Sequence, residues 1–196
     1  MSESKRMGLV LIEAFADWEY GLLAASAVAW FGCSLTVLTP GAGIVTSMAG
    51  ARIAGEAALE GAKAESYDAL ALIGSDRWEQ GAATPADDLA RDVLERGGTV
   101  GAICGGTVAL ARSGLLEGRT HTSNGRKWLR EAAGSYAGAE HYRDTPAAVR
   151  DGPVVTAPGT APATFAIAML EAMLPGRAEQ VGQMRAMMAA EHAAAG

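Results

Sequence analysis

The run Thr99-Val-Gly-Ala-Ile-Cys-Gly-Gly-Thr-Val-Ala-Leu-Ala111 constrains the fold more than any other stretch of the chain. Its apolar first half reads as a buried strand, of the kind found in a sheet with helices on both faces. The strand ends on Cys104, two glycines follow, and helix-forming residues resume at Thr107. So sharp a strand-to-helix turn tolerates only small neighbours, and Ala102 and Gly106 flank Cys104 two positions to either side. The turn sets a thiol at the positive end of a helix dipole. Both features are expected to favour the thiolate, the reactive form of cysteine.

The rest of the chain keeps this alternation of short apolar runs and helical patterns. Residues 7–12, 34–38 and 67–73 read as buried strands. Asp17 is placed to cap a helix through about residue 30, with Leu23, Ala27 and Trp30 on one face and Gly32 at its end. Within the Gly- and Ala-rich residues 40–62, short strands are expected at Ile44–Thr46 and Arg52–Ala54. Thr84-Pro-Ala-Asp87 starts a helix with a threonine cap, proline at the first helical position and an acid in the first turn. That helix turns Leu89, Val93 and Leu94 inward and stops at Gly97-Gly98. The helix after Cys104 ends near Gly114, residues 119–123 read as a short strand, and Asn124 is placed to cap a helix holding Trp128 and Leu129. Asp151-Gly152 is a hairpin turn between residues 148–150 and 153–157. Helices follow at residues 160–174 and Ala178–Ala193, the last with Val181, Met184 and Met188 on one face.

This order implies an α/β fold with a mostly parallel sheet, whose sites lie at the C-terminal ends of its strands. The loops at residues 14–19, after Ile73, and at Cys104 all fall there. At 196 residues the chain is expected to be a single domain, with a core over about residues 6–175 and a C-terminal helix and tail over 177–196. Its 49 % hydrophobic and 19 % charged residues suit a soluble globular protein. A net charge of -6, with no basic cluster interleaved with aromatics, argues against nucleic acid as a partner. No apolar stretch reaches membrane-spanning length, and the run from Met7 is too short for a signal segment, so a cytoplasmic location is expected. Two cysteines in a reducing compartment read as separate thiols, with Cys33 a buried strand residue.

Five blocks together make the chain resemble the DJ-1/PfpI family: Phe15-Ala-Asp-Trp-Glu19, Leu72-Ile-Gly-Ser-Asp-Arg-Trp78, Ala102-Ile-Cys-Gly-Gly106, Gly114-Leu-Leu-Glu-Gly-Arg119 and Thr156-Ala-Pro-Gly-Thr160. The resemblance implies a flavodoxin-like three-layer sandwich with a nucleophile elbow, related to class I glutamine amidotransferases, and commonly a homodimer. It matches Cys104 to the elbow cysteine and Glu19 to the glutamate that hydrogen-bonds it. Gly74 and Ser75 match a pair whose backbone N–H groups form an oxyanion hole, to which the N–H of Gly105 is added. A buried carboxyl facing a thiolate should be protonated and able to donate to sulfur. Glu13 and Asp17 are acids close to Glu19 in sequence and compete for that role.

The chain also departs from the family pattern. Gly105 stands where one branch has a histidine, and Asn124 where another has one; Ala157-Pro158-Gly159 replaces the amidotransferases' His-x-Glu. His121, three residues before Asn124, is an accessory candidate, but its odd offset turns it to the opposite face of a strand. Asn124 itself and Asp76, in the loop beside the oxyanion candidates, are the other accessory candidates. No histidine has a partner at metal-ligand spacing, so no metal is expected, and no cofactor either. The expected function is that of a cysteine-dependent hydrolase or lyase acting on a small-molecule amide, nitrile-like or aldehyde carbon, with peptidase activity disfavoured by the missing histidine. The alternative is a non-catalytic redox-responsive protein in which Cys104 oxidises to a sulfinate held by Glu19.

Overall fold

The computed structural model describes residues 4–80 and 84–193; the end of the expected C-terminal tail lies outside them. Seven strands form one sheet: β1 (Arg6–Val10), β2 (Ser34–Thr39), β5 (Ala57–Ala58), β6 (Ala69–Leu72), β7 (Thr99–Ile103), β8 (Val149–Asp151) and β9 (Val154–Ala157). They lie in the order β5-β2-β1-β6-β7-β9-β8. Every pairing is parallel except β8 with β9, the hairpin that turns at Asp151-Gly152. A separate antiparallel pair, β3 (Ile44–Thr46) and β4 (Arg52–Ala54), stands apart from the sheet.

Strand periodicity divides the core into two layers. Met7, Leu9, Ala69, Ala71, Ile73 and Val155 face one side, packed with Leu23 and Ala27 of helix α1 (Asp17–Ala29), Phe165 and Met169 of α5 (Pro162–Met173), and Val181 and Met184 of α6 (Ala178–Ala193). Val10, Leu70, Leu72, Val100 and Ala102 face the other side. There they meet Leu89 and Val93 of α2 (Pro85–Glu95), Val108 and Leu110 of α3 (Thr107–Arg112), and Leu129 of α4 (Arg126–Ala133). The result is the three-layer sandwich expected from strands that are apolar on both faces. Gly101 of β7 lets α5 come close, because a Cβ there would meet Phe165 at 3.1 Å and run into the sulfur of Met169.

The chain leaves β1 toward β2 on one side of the sheet and returns to β6 on the other. Connections therefore diverge between β1 and β6, opening a crevice at the strands' C-terminal ends where sites in such sheets are found.

Several local expectations fail for identifiable reasons. Asp17 is the first residue of α1 rather than its cap: the cap position is Ala16, and the Asp17 carboxylate accepts a hydrogen bond from Ala49 N–H at 3.0 Å. Trp30 falls on the C-cap and is 52 % exposed instead of sharing the face of Leu23 and Ala27. Residues 119–123 make a single bridge, His121 with Tyr142, and no strand. Asn124 does not cap α4; Gly125, with φ 151°, holds the cap position, and the Asn124 side chain is engaged elsewhere.

Candidate functional site

Cys104 follows β7 directly and has φ 55°, in the left-handed region that costs a non-glycine residue about 1–3 kcal/mol. The surrounding packing enforces it. A Cβ on Gly106 would lie 2.5 Å from the Leu72 carbonyl oxygen, and one on Gly105 would strike that of Ser75. The two glycines thus let the elbow press against the end of β6.

Three acids follow β1, and each has a different task. The Glu13 carboxylate accepts from Thr46 N–H at 2.9 Å, and Asp17 accepts from Ala49, so both hold the β3–β4 hairpin. Glu19 alone turns inward and is fully buried. Its Oε2 accepts from Gly74 N–H at 2.7 Å. Its Oε1 has no nitrogen or oxygen donor and faces the Cys104 thiol; a Cβ built on Gly159 would lie 2.9 Å from both atoms. Burial raises the Glu19 carboxyl from its ordinary 4.5 to about 7, against the pull of the Gly74 hydrogen bond. Burial, followed by the charge of Glu19, raises the Cys104 thiol to about 11. The thiolate expected from the turn and the helix dipole is therefore not the resting form at neutral pH. Helix α3 is only six residues long, and desolvation outweighs what its end contributes.

Asn124 is a second partner of the sulfur. Its Nδ2 donates to Cys104 Sγ at 3.1 Å, and its Oδ1 accepts from Gly159 N–H at 2.9 Å. The second bond fixes the amide, because only the oxygen can accept from a peptide N–H. The Gly159 carbonyl in turn accepts from Trp18 Nε1 at 2.9 Å. One glycine residue, through its N–H and its carbonyl, therefore links the indole beside Glu19 to the amide on the thiol. Cys104 is half-buried and Asn124 is exposed.

The other candidates separate clearly. The Gly105 N–H is next to Sγ and favours the thiolate. Gly74 N–H is committed to Glu19, which removes it from the oxyanion hole assigned to it. Ser75 is buried beside Gly105, with its hydroxyl donating to the Glu13 carbonyl at 2.7 Å. Asp76 is exposed on the turn Asp76–Gln80. His121 is fully buried, with Nδ1 bonded to the Arg119 carbonyl at 2.7 Å and Nε2 to the Tyr136 hydroxyl. Both ring nitrogens are thus occupied, and burial pushes its pKa below the ordinary value, so His121 is a neutral packing residue rather than a base at Cys104. The role of Gly159 is not visible in sequence, where its only signal is a small residue in the loop after β9. Among the described residues no cluster of three His, Cys, Asp or Glu is arranged to hold a metal ion, and no helix is long and apolar enough to cross a membrane.

A cysteine on a strand-to-helix elbow, one strand from the switch point of a parallel sheet, defines a class of α/β proteins. Within that class the chain belongs to the DJ-1/PfpI family, which matches residues 5–172. It is 33 % identical over 176 residues to YoaZ of Bacillus subtilis (strain 168), named an uncharacterized protease, covering 86 % of this chain and 83 % of that protein. Among solved structures it is similar to the DJ-1 superfamily protein Atu0886 from Agrobacterium tumefaciens, with TM-score 0.87, 36 % identity, and 96 % and 99 % of the two chains covered. The thiJ/pfpI family protein from Bacillus anthracis gives TM-score 0.71 and 32 % identity over 87 % of this chain and 84 % of that one.

Proposed function

We propose that the protein is a cysteine-dependent enzyme acting on a small electrophilic carbon, with Cys104 as nucleophile and Glu19 as general base. The observation that carries this reading is the burial of Glu19 against the thiol. It lifts a carboxyl to about 7, where a base serves best at neutral pH, and so replaces the histidine the chain lacks. As the sulfur attacks a carbonyl carbon, the S–H proton passes to Glu19 Oε1 and an S–C bond forms. The C=O π pair moves to oxygen, which then takes the proton back from Glu19. The Asn124 amide and Gly105 N–H, both directed at the sulfur, are the donors within reach of that oxygen. Gly159 pressed against both members of the pair suits a small aldehyde, nitrile or amide better than an extended peptide.

Oxidation sensing needs a resting thiolate, and a thiol held at about 11 supplies little of it. Exposed Ile44 and Met48 on the β3–β4 hairpin, with Trp18 on α1, support assembly as a homodimer, which light scattering measures. The test of function is turnover on a panel of small aldehydes, nitriles and primary amides. Cys104→Ser should abolish it, and Glu19→Gln should lower kcat by about 10²-fold or more. Turnover that survives Cys104→Ser would overturn the proposal. A chain inert toward the whole panel, in which peroxide adds two oxygens at Cys104 alone, would favour the sensor instead.

A further inference from the structure

The segment that carries Asn124 has no sheet neighbour, yet the backbone of Ser123 just before it is held by side chains. The Tyr142 hydroxyl accepts from Ser123 N–H at 3.2 Å and donates to the Ser123 carbonyl at 2.9 Å. One phenol thereby replaces the pair of ladder hydrogen bonds that a neighbouring strand would make. The Ser123 hydroxyl is locked as well. Thr107 Oγ1 donates its single proton to the Cys104 carbonyl at 2.6 Å, so the Ser123 hydroxyl must be the donor in the 2.6 Å contact between the two side chains. Thr107, Ser123 and Tyr142 are all buried, away from competing water.

The proton positions above Tyr142 are equally determined. A carbonyl can only accept, so His121 Nδ1 carries the hydrogen toward Arg119, and unprotonated Nε2 accepts from the Tyr136 hydroxyl. The His121 ring stands edge-on to Tyr142 at 5.6 Å between centroids, and the Arg126 guanidinium lies 5.5 Å over the other ring, that of Tyr142. These contacts fix the phenol in place without using its hydroxyl.

We infer that Tyr142 is a positioning residue for the reacting thiol: together with Thr107 it clamps Ser123 to the elbow, and so sets the Asn124 amide on Cys104 Sγ. None of the three touches the sulfur; they act through the residue that does. The Cys104 carbonyl is tied through two hydroxyls to Ser123, the residue before Asn124, so the donor and the sulfur keep their separation even though Asn124 is exposed. This inference rests on Cys104 being the reacting group. Its test needs no turnover, so the two fail separately.

The experiment is the pH dependence of Cys104 alkylation by iodoacetamide in the full chain, located by mass spectrometry. Tyr142→Phe should slow alkylation at pH 8 about tenfold, as expected for losing one hydrogen bond to a thiolate. Asn124→Ala should do the same, and the double variant should be no slower than either. Thr107→Val should follow them while Thr107→Ser keeps the wild-type profile, which decides the matter if Tyr142→Phe does not fold. Tyr136→Phe, which loses a buried hydroxyl but leaves Ser123 untouched, should lower the melting temperature without moving the profile. An unshifted alkylation profile in folded Tyr142→Phe, or in folded Thr107→Val, would overturn the inference.

Discussion

Replacing Glu19 by glutamine separates the stability cost of the site from its chemistry. In the unfolded chain the carboxyl titrates at its ordinary 4.5, and in the folded chain at about 7. Between those values the native state keeps a proton that the unfolded state has released, so stability falls as pH rises through the window. At about 1.4 kcal/mol per pH unit the full loss is about 3 kcal/mol, most of which falls between pH 5 and pH 8. Glutamine does not titrate, and its carbonyl can still accept from Gly74 N–H. The measurement is urea unfolding of both proteins at pH 5, 6, 7 and 8. Glu19→Gln should gain on the wild type by about 2–3 kcal/mol from the lowest pH to the highest. Contributions from His121 and the other groups that are not coupled to Glu19 cancel in that difference. The same substitution removes the charge that helps to raise the thiol, so alkylation of Cys104 at pH 8 should speed up while turnover slows. Unfolding free energies of the two proteins that run parallel with pH would refute the argument, because Glu19 would then titrate alike in both states.

Three other outcomes follow from the packing. Arg112→Ala should lose about 3–5 kcal/mol in chemical denaturation, since it leaves the carboxylate of Asp87, paired with Arg112 at 2.8 Å and 2 % exposed, in the interior without its counter-charge. Gly159→Ala places a methyl 2.9 Å from both Sγ and Glu19 Oε1, so turnover should collapse and the alkylation profile should change; a wild-type profile would contradict the close approach. His121 is buried neutral with its pKa lowered, so the unfolded chain binds the extra proton as pH drops below about 6.5 and the wild type loses stability there. In His121→Phe that acid slope should flatten, as thermal melts at pH 5 and pH 7 would report.

Much of the framework is written in local pattern. The bounds of Ile44–Thr46, Arg52–Ala54 and Ala178–Ala193 follow from short-range apolar periodicity and turn residues, and the elbow from small residues around Cys104. Which of three neighbouring acids turns inward was legible only through the family resemblance; the hairpin bonds that occupy Glu13 and Asp17 lie about thirty residues away in sequence. Asn124 was legible as a position facing the elbow but not as a donor, since its partners are Cys104 and Gly159, 20 and 35 residues distant. Locally it resembles a helix cap, and those tertiary bonds override that preference. The thiol's acidity departs from its local signals for a related reason. Sequence shows a helix start, whereas the depth of burial that decides the titration comes from Glu19, Gly74 and Gly159 closing around the sulfur.

The bond from the Trp18 indole to the Gly159 carbonyl has a practical consequence. Trp18 is 54 % exposed, Trp78 is 2 % exposed, and Trp18 alone of these two is one peptide unit from the reacting pair. An adduct that pushes Gly159 off Cys104 must lengthen or break that bond, changing the polarity around an indole that already faces water. With Trp30, Trp78 and Trp128 replaced by phenylalanine, emission from Trp18 is expected to follow the state of the sulfur without an attached dye.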